Sequence, residues 1–78
     1  MLHDNMINIL KFIGDKRRTT SQIVYEFRLH FSTVRKKLEW MINMNLAERH
    51  EYGSAKRRSY EFSLTEKGKA VLKALELK

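Results

Sequence analysis

The chain has no cysteine and no proline, and only three glycines, Gly14, Gly53 and Gly68, in 78 residues. Without cysteine there can be no disulfide, thiolate metal site, redox switch or cysteine nucleophile. Without proline, and with so little glycine, the sequence offers no linker, low-complexity tract or internal repeat, and it reads as compact from end to end. No stretch approaches the roughly 18 consecutive apolar residues of a membrane span, and Met1-Leu2-His3-Asp4-Asn5 lacks the basic region and apolar run of a secretion signal. Neither secretion nor membrane spanning is expected. The expected location is the cytoplasm, on the nucleoid in a prokaryotic cell. Acidic residues are scarce too: nine Asp and Glu stand against sixteen Lys and Arg, for a net charge of +7 and a pI of about 10.0. That balance favours a polyanionic partner, nucleic acid first and an anionic membrane second, over an acidic small substrate.

What is present is enough for one small core. A chain of this length buries only roughly 60% of its unfolded surface and cannot support two cores, so residues 1–78 are expected to form a single domain. A first helix is expected from Asp4 or Asn5 to Ile13, with Met6, Leu10 and Ile13 on one face and Gly14 in the left-handed position that ends helices. Asp15 to Arg18 is a polar, basic connection with room for a very short strand. Thr19-Thr20-Ser21-Gln22 has the form of a capping box and opens a short helix running to Phe27, with Ile23, Val24 and Phe27 inward. Leu29-His30-Phe31 is the expected turn and Ser32 the expected N-cap of a third helix, which carries Val34, Leu38, Met41 and Ile42 on its apolar face. Asn45 then takes the left-handed role that glycine commonly fills. Leu46–Tyr52 and Ser59–Leu64 read as two strands, the second alternating Tyr60, Phe62 and Leu64 with Ser59, Glu61 and Ser63. Gly53-Ser54-Ala55 is the expected flexible tip between them, and Thr65 caps a last helix to about Leu77.

Three segments carry a resemblance: Thr20-Ser21-Gln22-Ile23, Ser32 to Leu38 continuing through Met41 to Leu46, and above all Tyr60-Glu61-Phe62-Ser63-Leu64-Thr65-Glu66-Lys67-Gly68. Together they resemble the winged helix-turn-helix transcriptional regulators of the MarR, ArsR and PadR type, over about the whole chain. The resemblance implies an α+β fold: a three-helix core, a two-stranded β-wing and a C-terminal helix. It implies a DNA-binding regulator, not an enzyme, with no cofactor. Thiolate metal sensing of the ArsR kind is excluded by the lack of cysteine.

The residues argue for duplex DNA on their own account. Advancing about 100° per residue from the Val34, Leu38 and Met41 face places Ser32, Lys36 and Asn43 opposite the core. Thr33 and Trp40 fall on one flank of that line, Arg35 and Glu39 on the other. Ser32, Thr33 and Lys36 are the expected base-reading residues in the major groove, with Arg35 and Lys37 on phosphates. Lys16-Arg17-Arg18, Thr20 and Arg28 add donors around the second helix. Lys56-Arg57-Arg58 sits on the wing, where arginines suit the narrow minor groove. The sharper reading is a sequence-specific transcriptional regulator with a recognition helix at about 32–44 and a wing at 53–58. The alternatives are a non-specific architectural or chromatin protein and a winged-helix protein-interaction module.

Other chemistry is poorly represented. His3, His30 and His50 lie on different elements with no HxxxH pair, and no carboxylate spacing suggests an acid and base, so neither a metal site nor a catalytic site is expected. Tyr25, Tyr52 and Tyr60 could stack on bases but are expected to pack beside the core. The outer helices carry more apolar surface than one small core requires. Ile7, Ile9 and Phe12 in the first and Ala70, Val71, Leu72, Ala74, Leu75 and Leu77 in the last suggest a homodimer built on Ile7, Phe12, Val71, Leu72 and Leu75. Trp40 and Met44 also fall outside the apolar line of the third helix.

Overall fold

The structure, a computed structural model, describes residues 4–54 and 56–76. These form helix α1 (Asp4–Ile13), strand β1 (Arg18–Thr19), helices α2 (Thr20–Phe27) and α3 (Phe31–Asn43), strands β2 (Ala47–Ser54) and β3 (Arg57–Leu64), and helix α4 (Glu66–Glu76). The strands make one antiparallel sheet in the order β1-β3-β2. It is the expected α+β winged helix-turn-helix.

Local chemistry sets most of the boundaries. Gly14 adopts φ +52° and donates its N–H to the Leu10 carbonyl at 2.9 Å, closing α1. Thr19 serves two elements, as a strand residue paired with Glu61 and as the cap of α2. Its hydroxyl accepts from the Gln22 N–H at 3.0 Å, while its own N–H donates to Gln22 Oε1 at 2.9 Å. Arg28 (φ 52°) and Asn45 (φ 61°) take left-handed conformations where glycine is the usual choice, so the turns after α2 and α3 are paid for by side-chain crowding.

The third helix starts earlier than Ser32. His30 is its N-cap: the ring Nδ1 accepts from the Ser32 N–H at 3.2 Å and lies 2.8 Å from Ser32 Oγ, so Phe31 and Ser32 already belong to the helix. The wing also differs from expectation. Leu46 is not a strand residue but a buried turn residue whose N–H reaches the Met41 carbonyl at 2.7 Å. Pairing continues outward past Tyr52, through Gly53 opposite Arg58 to Ser54 opposite Arg57. Gly53, at φ +102°, is therefore part of the ladder and not of the tip. Ala55 and Leu77 lie outside the described residues.

The core is the meeting point of all the helices and the sheet. Met6, Ile9, Leu10 and Ile13 from α1 join Ile23, then Val34, Leu38 and Met41, then Leu46, Ala47, Phe62 and Leu64. Ile9 is completely buried, so it is not part of an apolar excess on the first helix. Phe12 stands edge-on to Phe27, with ring centroids 5.6 Å apart at 84°. Val71, Leu72 and Leu75 of α4 are half-buried against this core.

The start of α4 is tied to the turn between α3 and β2. The Thr65 N–H donates to the Leu46 carbonyl at 3.1 Å and its hydroxyl donates to the Asn45 carbonyl at 2.6 Å. That hydroxyl also accepts from the Gly68 N–H at 3.0 Å, and Lys67 Nζ donates to the Met44 carbonyl at 3.0 Å. These bonds give the passage from Ser63 to Gly68 a physical meaning: it is the joint between the wing, α3 and α4.

Candidate nucleic-acid interface

The core-facing stripe of α3 leaves a mostly polar outer face, on which Trp40, and Met44 at the C-cap, are also exposed. Ser32, Arg35, Lys36, Glu39 and Asn43 are exposed, whereas Thr33 and Lys37 are half-buried on the flanks. Lys36 stands opposite Val34 and Leu38, both essentially inaccessible, so its ammonium projects away from the molecule. The Ser32 hydroxyl is in contact with the His30 ring and is less free than its position alone suggests. No buried polar or charged residue occurs among the described residues, which leaves the charges of the helix on its surface.

The other sequence-derived candidates are distributed unevenly. Arg17 is exposed just before β1 and Lys56 is exposed at the wing turn. Arg57 and Arg58 lie on the β3 backbone, but their side chains are outside the described residues. Thr20 begins α2 and is half-buried. Arg18 is turned inward: its Nε donates to the Phe12 carbonyl at 3.0 Å and its guanidinium lies 4.1 Å from the centre of the Phe12 ring. The structure commits that side chain to holding β1 against α1. Phe12, a candidate for a dimer contact, is correspondingly occupied within its own chain by Arg18 and Phe27.

Between α3 and the wing runs a cleft that the sequence did not announce. Its inner part, about 320 Å³, has a floor of Leu38, Ile42 and Phe62 and a rim that includes Arg35, Glu39 and Arg49. Its outer part opens between Ser21, Tyr52 and Ser59, and both parts share Thr20, Phe31 and Tyr60. The Arg49 guanidinium lies 4.9 Å from the centre of the Tyr60 ring. Arg49, Phe31 and Tyr52 were missed as site residues. Phe31 was assigned to a turn, and Arg49 stands alone among Glu48, His50 and Glu51, so only strand pairing reveals that it shares a face with Phe62.

One sequence family, described as winged helix-turn-helix, matches residues 4–77. The chain belongs to the winged helix-turn-helix family. Among solved structures, this winged helix is similar to Bacillus subtilis PadR in complex with operator DNA, with a TM-score of 0.84 and 15% identity over 94% of this chain and 46% of that one. It is similar to a PadR family transcription regulator from Clostridium difficile R20291, with a TM-score of 0.85 and 22% identity over 96% and 85% of the two chains. A MarR family protein from Porphyromonas gingivalis W83 gives a TM-score of 0.83 at 16% identity, covering 95% of this chain and 72% of that one. At such identities the likeness is one of fold. This winged helix spans less than half the length of the Bacillus subtilis protein. No curated protein matches it in sequence.

Among the described residues, no helix is long and apolar enough to cross a membrane, and no group of three or more His, Asp and Glu could hold a metal ion. Two histidines have local work. His30 caps α3, and His50 Nε2 lies 2.7 Å from Ser63 Oγ across the wing.

Proposed function

We propose that this winged helix is a sequence-specific, double-stranded DNA-binding transcriptional regulator. The observation that carries the reading is the outer face of α3, where Ser32, Arg35, Lys36 and Asn43 are all exposed on a rigid helix backed by Val34, Leu38 and Met41. A helix of this kind fits the major groove, with Ser32, Thr33 and Lys36 offered to base edges and Arg35 and Lys37 to phosphates. Arg17 and Thr20 approach the backbone beside it, and the wing turn with Lys56 reaches the adjacent minor groove. The net charge of +7 supplies the sequence-independent attraction. Bacillus subtilis PadR, of similar fold, is itself known bound to operator DNA. Such a regulator acts where the DNA is, in the cytoplasm of a prokaryotic cell. The role requires neither catalysis nor a cofactor.

Selection from random duplexes followed by a gel shift against mixed competitor DNA tests the proposal. The selected duplex should survive competition. Uniform competition would instead make the protein an architectural coat, and absence of any binding would make the fold a protein-interaction module.

The working unit in this reading is a homodimer through α1 and α4. Ile7, Val71, Leu72 and Leu75 are half-buried, so each retains apolar surface that a second copy can cover. Two recognition helices would then meet half-sites about 34 Å apart. Sedimentation at tens of micromolar should give a dimer, and the selected sites should be pseudo-palindromic. A monomer recognising a single half-site would exclude this assembly.

A further inference from the structure

We propose that the cleft between α3 and the wing binds an unpaired nucleobase, so that the chain holds single-stranded DNA as well as duplex. The inference goes beyond the duplex reading and does not depend on it. The duplex contacts were placed on the outer face of α3 and the wing turn; this cleft lies between them and shares Thr20 and Arg35 with that surface.

Three aromatic residues line the one opening, Phe31 and Tyr60 on the α3 side of the sheet and Tyr52, by strand alternation, at its rim from the other face. Phe31 is 48% exposed and Tyr52 46% exposed, while Tyr60 is half-buried where the two parts of the cleft join. The pairing explains why Tyr52 stays uncovered: its cross-strand neighbour is Ser59, too small to shield a ring. Phe31 shares the helical stripe of Val34 and Leu38, but as the first residue of α3 it stands at the end of that stripe, where the cleft opens, and so stays uncovered. Aromatic residues at the mouth of a cleft can take an inserted base by stacking, because every base has a π face that a ring can meet.

The polar rim matches the rest of a nucleotide. The hydroxyls of Thr20, Ser21 and Ser59 line the cleft and can both donate to and accept from the edge of a base. Arg35 and Arg49 line its inner part, where they suit a phosphate. Arg49 also packs on Tyr60 and so holds that ring in place. Glu39 lines the same inner part and disfavours an anion, which directs the phosphate toward the two arginines. A base inside a duplex presents only its edges, so ring walls of this kind can be used only by a base that is unstacked.

The test is fluorescence anisotropy of the full chain with three labelled probes: a short oligothymidylate, an abasic deoxyribose-phosphate strand of equal length, and a blunt duplex. The oligothymidylate should bind more tightly than the abasic strand. Phe31→Leu and Tyr52→Leu keep apolar bulk but remove the rings, and each should weaken oligothymidylate binding by roughly 5- to 150-fold, the effect of losing one stacking partner. Neither should alter abasic-strand binding, and Tyr52→Phe should bind like the parent; circular dichroism confirms that each variant is folded. Equal affinity for base-bearing and abasic strands overturns the proposal, as do folded leucine variants that bind normally. Tighter binding of oligouridylate than of oligothymidylate overturns the assignment to DNA. A chain that binds oligothymidylate but no duplex upholds this site while removing the duplex reading.

Discussion

Replacing Gly68 by alanine is expected to destabilise the protein by about 3 kcal/mol, the upper part of the usual range for overpacking. At roughly 4–8 °C per kcal/mol for a domain of this size, the thermal midpoint should fall by about 12–24 °C. The sign is opposite to that of an ordinary helix, where Gly→Ala stabilises by roughly 0.5–1 kcal/mol. Gly68 lies in the first turn of α4 and is buried. A Cβ built there would overlap the Leu46 carbonyl oxygen, sit 3.0 Å from the Leu46 carbonyl carbon and lie 3.3 Å from Leu64 Cβ. The oxygen cannot yield cheaply, because it accepts the Thr65 N–H, and Thr65 is held to the neighbouring Asn45 carbonyl as well. Relief would require α4 to move off the turn between α3 and β2, breaking the joint that holds the wing beside α3. Chemical and thermal denaturation measure the effect, with exposed Lys69→Ala as a near-neutral control. A Gly68→Ala protein as stable as its parent would mean that α4 does not approach Leu46 so closely.

Removing Lys36 is expected to have the largest effect on DNA recognition. On the selected sequence, Lys36→Ala should cost about 1–3 kcal/mol, or roughly 5- to 150-fold, while binding to competitor DNA changes little. Lys36 is exposed on the outer face of α3, and its loss leaves Val34, Leu38 and Met41 packed as before. Lys56→Ala at the wing turn should behave differently, weakening all sequences about equally and reducing the salt slope of log K by about 1. Titrations of selected and random duplexes over a series of salt concentrations separate the two patterns. If both variants lose affinity uniformly, α3 touches only the backbone and does not read bases.

The parts of this fold that could be read from sequence are those decided within one or two helical turns. The Thr19–Gln22 capping box, the faces Met6-Leu10-Ile13 and Val34-Leu38-Met41, and the left-handed Gly14 and Asn45 depend on neighbours close along the chain, and each appears as expected. Misreadings occurred where a second element intervened or an unusual residue filled a familiar role. Histidine is a rare cap, so Ser32 looked the better choice until the His30 ring was seen accepting the Ser32 N–H. Tyr25 and Tyr52 were expected to pack, yet they are 87% and 46% exposed because no element crosses over them.

By itself the sequence determined the order of the elements, the polar outer face of α3 and the positive charge, since periodicity and composition are local properties of a chain. Tertiary structure alone decided that Arg18 serves the Phe12 ring, that Gly68 must be small because of Leu46, and that Phe31, Tyr52 and Tyr60 open onto one cleft with Arg35 and Arg49. Each of those depends on distance in space between residues far apart in sequence, set by how the sheet and helices close around the core.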